Sequence, residues 1–258
     1  MLRATTLVLA TLTTALHTSP GHSQTTTVPK PDGEWRGALG IGYTSTSGNT
    51  DSVTYSINGD AVRQTTYDKF GAYVQAVNGR REEEDGETIR TANQARAGLA
   101  YTRDIRSSND RFFGFGQADW DRNLLIDLRL RSVFAGGVGY HVVKGEHHTF
   151  DISTGPAYNR ERFTADTRDQ IEWLVAEESS HTLTPTTTFK QKLSTYSNLK
   201  EGQGGEYRVV FDAALVFKVN SRWNLTMTFN SRHQSNPPVG VEKTDTLFVT
   251  GIQYMFNP

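Results

Sequence analysis

From Trp35 onward, side-chain character alternates along the chain with a period of two. In WNLTMTFNSR, Trp223, Leu225, Met227 and Phe229 interleave with Asn224, Thr226, Thr228 and Asn230. In WRGALGIGYT, Trp35, Leu39, Ile41 and Tyr43 share one face, with Arg36, Gly40 and Thr44 on the other. In EYRVVFDAALVFKV, Tyr207, Val209, Phe211, Ala213, Leu215, Phe217 and Val219 fall together, opposite a mixture of Arg208, Asp212 and Lys218 with Val210, Ala214 and Val216. A helix needs a period near 3.6, whereas a strand with unlike faces needs two. Such strands run almost to the last residue, so the chain is constrained to an all-β fold.

Turn-forming residues separate the runs: SGN near 47–49, EDG near 84–86, SSND at 107–110, KGE at 144–146, TPT at 184–186, EGQGG at 201–205 and SNPPVG at 235–240. The spacing predicts about twelve strands, near 35–46, 51–64, 68–80, 89–104, 111–122, 128–143, 148–163, 170–182, 187–197, 206–219, 222–234 and 244–256. No residue window beyond the N-terminus is apolar for long enough to form a membrane-crossing helix. The mean hydropathy of −0.54 suits a soluble protein. It suits a transmembrane barrel equally well, because every second residue of such a barrel faces a polar interior.

Aromatic placement separates these two readings. On the apolar faces, Trp35, Tyr101, Phe113, Tyr140, Phe150, Phe217, Trp223, Tyr254 and Phe256 gather at one set of strand ends. Tyr43, Tyr55, Tyr158, Trp173, Tyr207, Phe229 and Phe248 gather at the other. Two aromatic belts flanking an apolar band about 25 Å tall characterise a barrel in a bilayer. A soluble sandwich has no reason to form them. The expected fold is an antiparallel up-and-down transmembrane β-barrel of about twelve strands over residues 35–256. An even strand number returns both ends to one side, the periplasm, and makes connections such as 81–88, 198–205 and 235–243 outer loops.

The N-terminus fits export. Arg3 precedes a short apolar core from Leu7 to Leu16, and Gly21 and Ser23 offer small residues at cleavage positions. Residues 1–23 read as a secretory signal peptide, and 24–34 as a polar, Pro-containing periplasmic lead-in. The expected location is the outer membrane of a Gram-negative bacterium. The expected partners are its lipid and lipopolysaccharide, and the barrel-assembly machinery during biogenesis. A formal net charge of −1 argues against nucleic acid as a partner.

The residues also resemble a known family, the outer-membrane proteins described as salt-induced and grouped as a domain of unknown function. The matching elements are W-R-G-x-L-G at 35–40, T-S-G-N-T at 46–50, N-Q at 93–94, G-G-V-G-Y-H at 136–141 and F-D at 150–151. They continue as E-E-S-S-H-x-L at 177–183, F-K-Q at 189–191, G-E-Y at 205–207 and F-D-A at 211–213, so the likeness spans about residues 33–256. It implies an outer-membrane barrel, carries no established activity, and brings no catalytic residue. Phe256 is followed by Asn257 and Pro258, whereas outer-membrane strands commonly end on the aromatic itself.

The faces predicted to point inward carry Arg36, Asp60, Lys69, Arg96, Arg129, Arg131, Asp151, Lys192, Arg208, Asp212, Lys218 and Arg232. These residues either pair and fill a narrow lumen, or line a watery passage whose basic excess favours anions. The expectation is a filled or narrowly open lumen. A second feature is the polar patch of Glu177, Glu178, His181 and Gln191. Adjacent glutamates in a regular strand face opposite ways. In a regular strand a short turn at TPT places Glu177 inside, opposite Lys192, and Glu178 outside, beside Gln191; the expectation is instead a bulge that turns the second glutamate inward, or placement at the polar rim. If exposed to lipid, such a patch suits an oligomer contact or a periplasmic partner.

Chemistry of other kinds finds little support. There is no cysteine, no H-E-x-x-H, no G-x-S-x-G, and no phosphate or dinucleotide loop. No cofactor or metal is expected. Ser179, Ser180 and His181 supply a nucleophile and a base by type, but neighbours in a strand point apart. The functional expectation is therefore a structural or narrow-channel envelope protein, with a link to salt or osmotic stress implied by the resemblance. The alternative is an outer-membrane hydrolase acting on lipid or peptide.

Overall fold

A computed structural model describes residues 27, 30–46, 51–82, 87–105, 111–199, 205–237 and 242–257. The expected signal peptide, residues 1–23, lies outside them. Twelve strands follow one another: β1 (Trp35–Thr46), β2 (Asp51–Gln64), β3 (Asp68–Glu82), β4 (Thr88–Asp104), β5 (Phe112–Asn123), β6 (Leu128–Lys144), β7 (His148–Phe163), β8 (Thr167–Thr184), β9 (Thr187–Asn198), β10 (Tyr207–Lys218), β11 (Trp223–Gln234) and β12 (Thr244–Phe256). Each pairs antiparallel with the next, and β12 closes on β1 through partners such as Leu39–Tyr254 and Ile41–Ile252. The result is a closed up-and-down barrel with no free edge, in which every strand finds hydrogen-bond partners on both sides. The strands match those predicted from alternation to within a few residues. Only β3 and β8 are appreciably longer, and a short 3-10 turn, Leu124–Ile126, fills the β5–β6 connection.

Both termini lie at one rim, here the terminal rim, and the other is the far rim. The outer surface is apolar: Leu39, Ile41, Ile57, Val74, Val138, Ile171, Val175 and Ile252 are all exposed. The inward face is polar and buried, with Arg131, Glu161, Asn123, Asn159 and Gln253 at 2 % exposure or less. This is the reverse of a soluble protein, and it follows from alternation on a wall one residue thick.

Aromatic pairs tie strands together where the belts are expected, Trp35–Phe70 by reaching from β1 across β2 to β3. Trp35–Phe70, Phe112–Tyr140 and Trp223–Tyr254 meet edge to face at the terminal rim, with centroids 5.1–5.6 Å apart. Tyr43 packs on Tyr55 at the far rim. Phe113 departs from its expected place. It is 5 % exposed and points inward, where Gly139 leaves room for its ring, and Phe112 takes the outward position instead.

Irregularities in the ladders shift side-chain parity, because one extra residue in a strand exchanges its faces. A bulge between Leu128 and Leu130 buries Leu128 and turns Arg129 out of the lumen to the far rim, where its Nε donates to Thr164 Oγ1 at 3.4 Å. Arg131 remains inside. A bulge at Thr182/Thr184 sets Glu178 against Lys192 and Glu177 against Leu193. The bulge thus turns Glu178 to the lumen, as the bulged alternative has it, while Glu177, placed inside by a regular strand, faces out. A further shift falls between His141 and Val143.

Candidate functional site

The lumen holds the polar chemistry of this chain, in layers. At the far half lie the ion pairs. Arg131 Nε on β6 donates to Glu161 Oε1 on β7 at 2.8 Å, with Asn159 donating to the same oxygen. Arg208 on β10 pairs with Glu172 on β8 at 2.9 Å, its guanidinium lying 4.0 Å over the Tyr196 ring. Arg232 on β11 pairs with Asp212 on β10, and Asn230 donates to the same carboxylate. Arg96, Asp121 and Asp245 are buried at the same level. Beside them an inward apolar cluster of Val133, Ala135, Ala157, Leu174, Ala176, Tyr196 and Val210, with Phe115 against it, fills the β6–β10 side.

Several contacts cross the lumen between strands that are not neighbours in the wall. Gln117 on β5 donates to the Tyr196 hydroxyl on β9 at 3.3 Å. Val77 and Ala92, on β3 and β4, cluster with Leu247 on β12. Nearer the terminal rim, Lys69 on β3 meets Glu178 on β8 at 3.5 Å, and Lys192 approaches the other carboxylate oxygen at 3.8 Å. Thr27 of the lead-in lies fully buried between opposite sides of the barrel: its N–H donates to Asp60 on β2 at 3.2 Å, and Lys190 on β9 donates to its carbonyl at 2.9 Å. Asp32 grips Arg36 through both oxygens, at 2.5 and 2.7 Å. That guanidinium holds the Asp32 carboxyl well below the usual carboxylate range.

At the terminal rim His141 is held between two carboxylates, with Nδ1 2.6 Å from Asp151 and Nε2 3.2 Å from Asp104. Lys144 reaches the same Asp104 at 2.5 Å. On the outer surface, His181 meets His148 of the facing strand with their Nδ1 atoms 3.1 Å apart, and stacks on Phe189. Ser179 shares the outward face with His181, while Ser180 lies on the inward one. His181's described hydrogen bond goes to His148 and to neither serine.

Of the predicted lumen residues, Arg36, Asp60, Arg96, Arg131, Arg208, Asp212 and Arg232 are buried inside. Lys69, Asp151 and Lys192 lie inside nearer the terminal rim, each facing a partner named above. Lys218 has inward parity but sits at the end of β10, exposed beyond the packed lumen. Arg129 is outside. Alternation alone underestimated the acids: Asp119, Asp121, Glu161, Glu172 and Asp245 are buried in the lumen too. With them, the buried charges comprise six bases (Arg36, Arg96, Arg131, Lys190, Arg208, Arg232) and seven acids (Asp60, Asp119, Asp121, Glu161, Glu172, Asp212, Asp245). The basic excess expected from the shorter set is absent from this buried set.

Solved structures with a similar architecture include the outer membrane channel of Pseudomonas putida F1. It shares 13% identity over 93% of this chain and 99% of that one, with a TM-score of 0.47. The translocator domain of the autotransporter NalP from Neisseria meningitidis shares 14% identity over 86% of this chain and 88% of that one, with a TM-score of 0.46. At such identities the likeness is one of fold. A comparison with curated proteins finds no match. A family model does match residues 39–256, nearly the whole barrel. The chain therefore belongs to the family described as "Protein of unknown function, DUF481".

Proposed function

We propose that this protein is a narrow outer-membrane channel whose resting lumen is closed by its own side chains, with the terminal rim facing the periplasm. The apolar outer surface and the two aromatic belts support the membrane placement. The observation that carries the channel reading is the Lys69–Glu178 contact. It joins two strands that are not neighbours, and its side chains are 39% and 43% exposed. Structural struts in the far half, such as Arg131–Glu161, are dry. This one is wet.

A hydrated ion pair is worth little and is screened by salt. The Debye length falls from about 10 Å at 0.1 M to about 3 Å at 1 M. A closure made of such a pair loosens as ionic strength rises, whereas the buried pairs that shape the wall do not. The salt connection suggested by the family resemblance thereby acquires a physical route. Near balance of the buried charges favours weak ion selectivity over the strong anion preference of a basic pore.

The test is conductance of the refolded mature chain in a planar bilayer. Wild type is expected to be nearly silent at 0.1 M salt and to show small discrete steps near 1 M, with disproportionate growth over bulk conductivity. Glu178→Gln removes the shared negative charge and leaves Lys69 and Lys192 repelling each other, so its steps should already appear at low salt. If wild type and Glu178→Gln stay silent across that whole range while both are folded, the lumen is a strut and the channel reading is wrong.

A further inference from the structure

Between the two aromatic belts, Glu177 is the one ionisable side chain among the described residues on the outward face. It lies on β8, four residues from Trp173 of the far belt. It pairs with Ile152 and Leu193 of the flanking strands, which continue to Phe150 and Phe189 of the terminal belt. Gln191 Nε2 donates to its Oε1 at 3.1 Å. Short or hydroxylic outward side chains, Thr154 on β7, Ser179 on β8, Thr195 on β9 and Ala213 on β10, stand among the neighbours of this pair, interleaved with the bulkier Ile152, Val175 and Leu193. The Ser179 hydroxyl is buried without a hydrogen-bond partner. Elsewhere in the same band Ile57, Val74, Leu99 and Ile252 are exposed.

Lipid tails offer no hydrogen bond to a carboxyl at this depth, and ionisable groups there mark contacts with something other than lipid. The pair is itself both halves of a match. A glutamine amide has a second N–H and a carbonyl, and a carboxyl has a second oxygen. A two-fold axis along the membrane normal preserves depth, so each residue of one copy meets residues at its own level in the other. Such an axis beside Glu177 sets Gln191 of each copy against Glu177 of its mate. It is an isologous contact in which one surface completes itself.

We propose that the outward face of β7–β10 around Glu177 and Gln191 is the docking surface for a second copy of this chain. The proposal rests on the membrane reading above and is independent of whether the lumen conducts.

The chain contains no cysteine, so a single introduced thiol reports without background. Leu193→Cys lies beside Glu177 on the proposed axis, and Ile57→Cys lies on the far side of the barrel in the same band. Oxidation of membranes carrying each variant should give several-fold more disulfide dimer for Leu193→Cys than for Ile57→Cys. Adding Glu177→Leu to Leu193→Cys should return the yield to the Ile57→Cys level, with the barrel still shifting on unheated gels. Removing a charge from the lipid face does not endanger folding, so this second variant remains readable. Equal yields at the two positions, or a yield indifferent to Glu177→Leu, would overturn the dimer. An adduct of any mass other than twice the chain would do so too, by showing a different occupant. If the variants fractionate as soluble protein before any oxidation, the membrane reading fails as well, and that failure is seen first.

Discussion

Arg131→Met alone should destabilise the folded barrel by about 3–5 kcal/mol, and Glu161→Leu alone by a similar amount, because each leaves its partner as an uncompensated buried charge. The side chains are 1% and 2% exposed, and the N–O separation is 2.7 Å. Solvent screening therefore has little to act on. Pairing in so dry a site offsets a large desolvation penalty without exceeding it by much. Hence the double variant, Arg131→Met with Glu161→Leu, should recover most of the loss, and the two effects should be strongly non-additive. Urea titration of the barrel folded in detergent, followed by tryptophan fluorescence, reads all four states of the cycle. Additive losses would mean that the two groups act separately and that the far-half lumen is wetter than its geometry implies.

That ion pair also shows where the sequence was readable and where it was not. Alternation places Arg131 in the lumen. It does not place Glu161, which sits in Asn159-Arg160-Glu161-Arg162, where both faces are polar and no apolar neighbour marks the outward side. Glu172 and Asp121 were more legible. Each is flanked by an outward aromatic, Trp173 or Trp120, and the pattern I-E-W or D-W-D already places the carboxylate inside. The strands themselves were visible almost to their ends, because a barrel wall one residue thick must repeat its pattern at every step.

Bulges leave no mark in the alternation. Nothing in L-R-L-R distinguishes a regular strand carrying Arg129 and Arg131 on one face from a bulged one that separates them. The same holds at Thr182/Thr184, where the bulge decides which of Glu177 and Glu178 faces out. Contacts across the lumen were beyond reach altogether. Lys69–Glu178 and Thr27–Asp60 depend on the cross-section of the closed barrel and on where the lead-in runs. Pairing rules between adjacent strands carry no information about either.

Glycine spacing, by contrast, carried more information than alternation could use, and it leads to the other large expected effect. Gly155→Ala should keep most of the chain from reaching the folded form, with a loss at the upper end of the about 1–3 kcal/mol typical of overpacking or beyond it. In the β6–β7 ladder the paired residues run from Ala135–Ala157 to Val138–Thr154, and nothing is paired between. Pro156 has no N–H to offer there. The two backbones close on each other in that gap. A Cβ on Gly155 would stand 2.1 Å from the carbonyl oxygen of Gly136, and one on Gly137 would stand 2.1 Å from that of Thr154. Both obstacles are main chain, which no rotamer change can relieve. Gly116, across the β5–β6 pair from Gly136, has nothing within 4 Å of its added Cβ. Gly116→Ala should therefore be neutral or slightly stabilising, since it removes only freedom of the unfolded chain. Folding yield on unheated gels and urea midpoints for the two variants, measured side by side, separate close backbone approach from a general intolerance of strands to added methyl groups. Equal behaviour would mean that β6 and β7 can spread at Gly137 and Gly155, and that the G-G-V-G run has some purpose other than letting two strands touch.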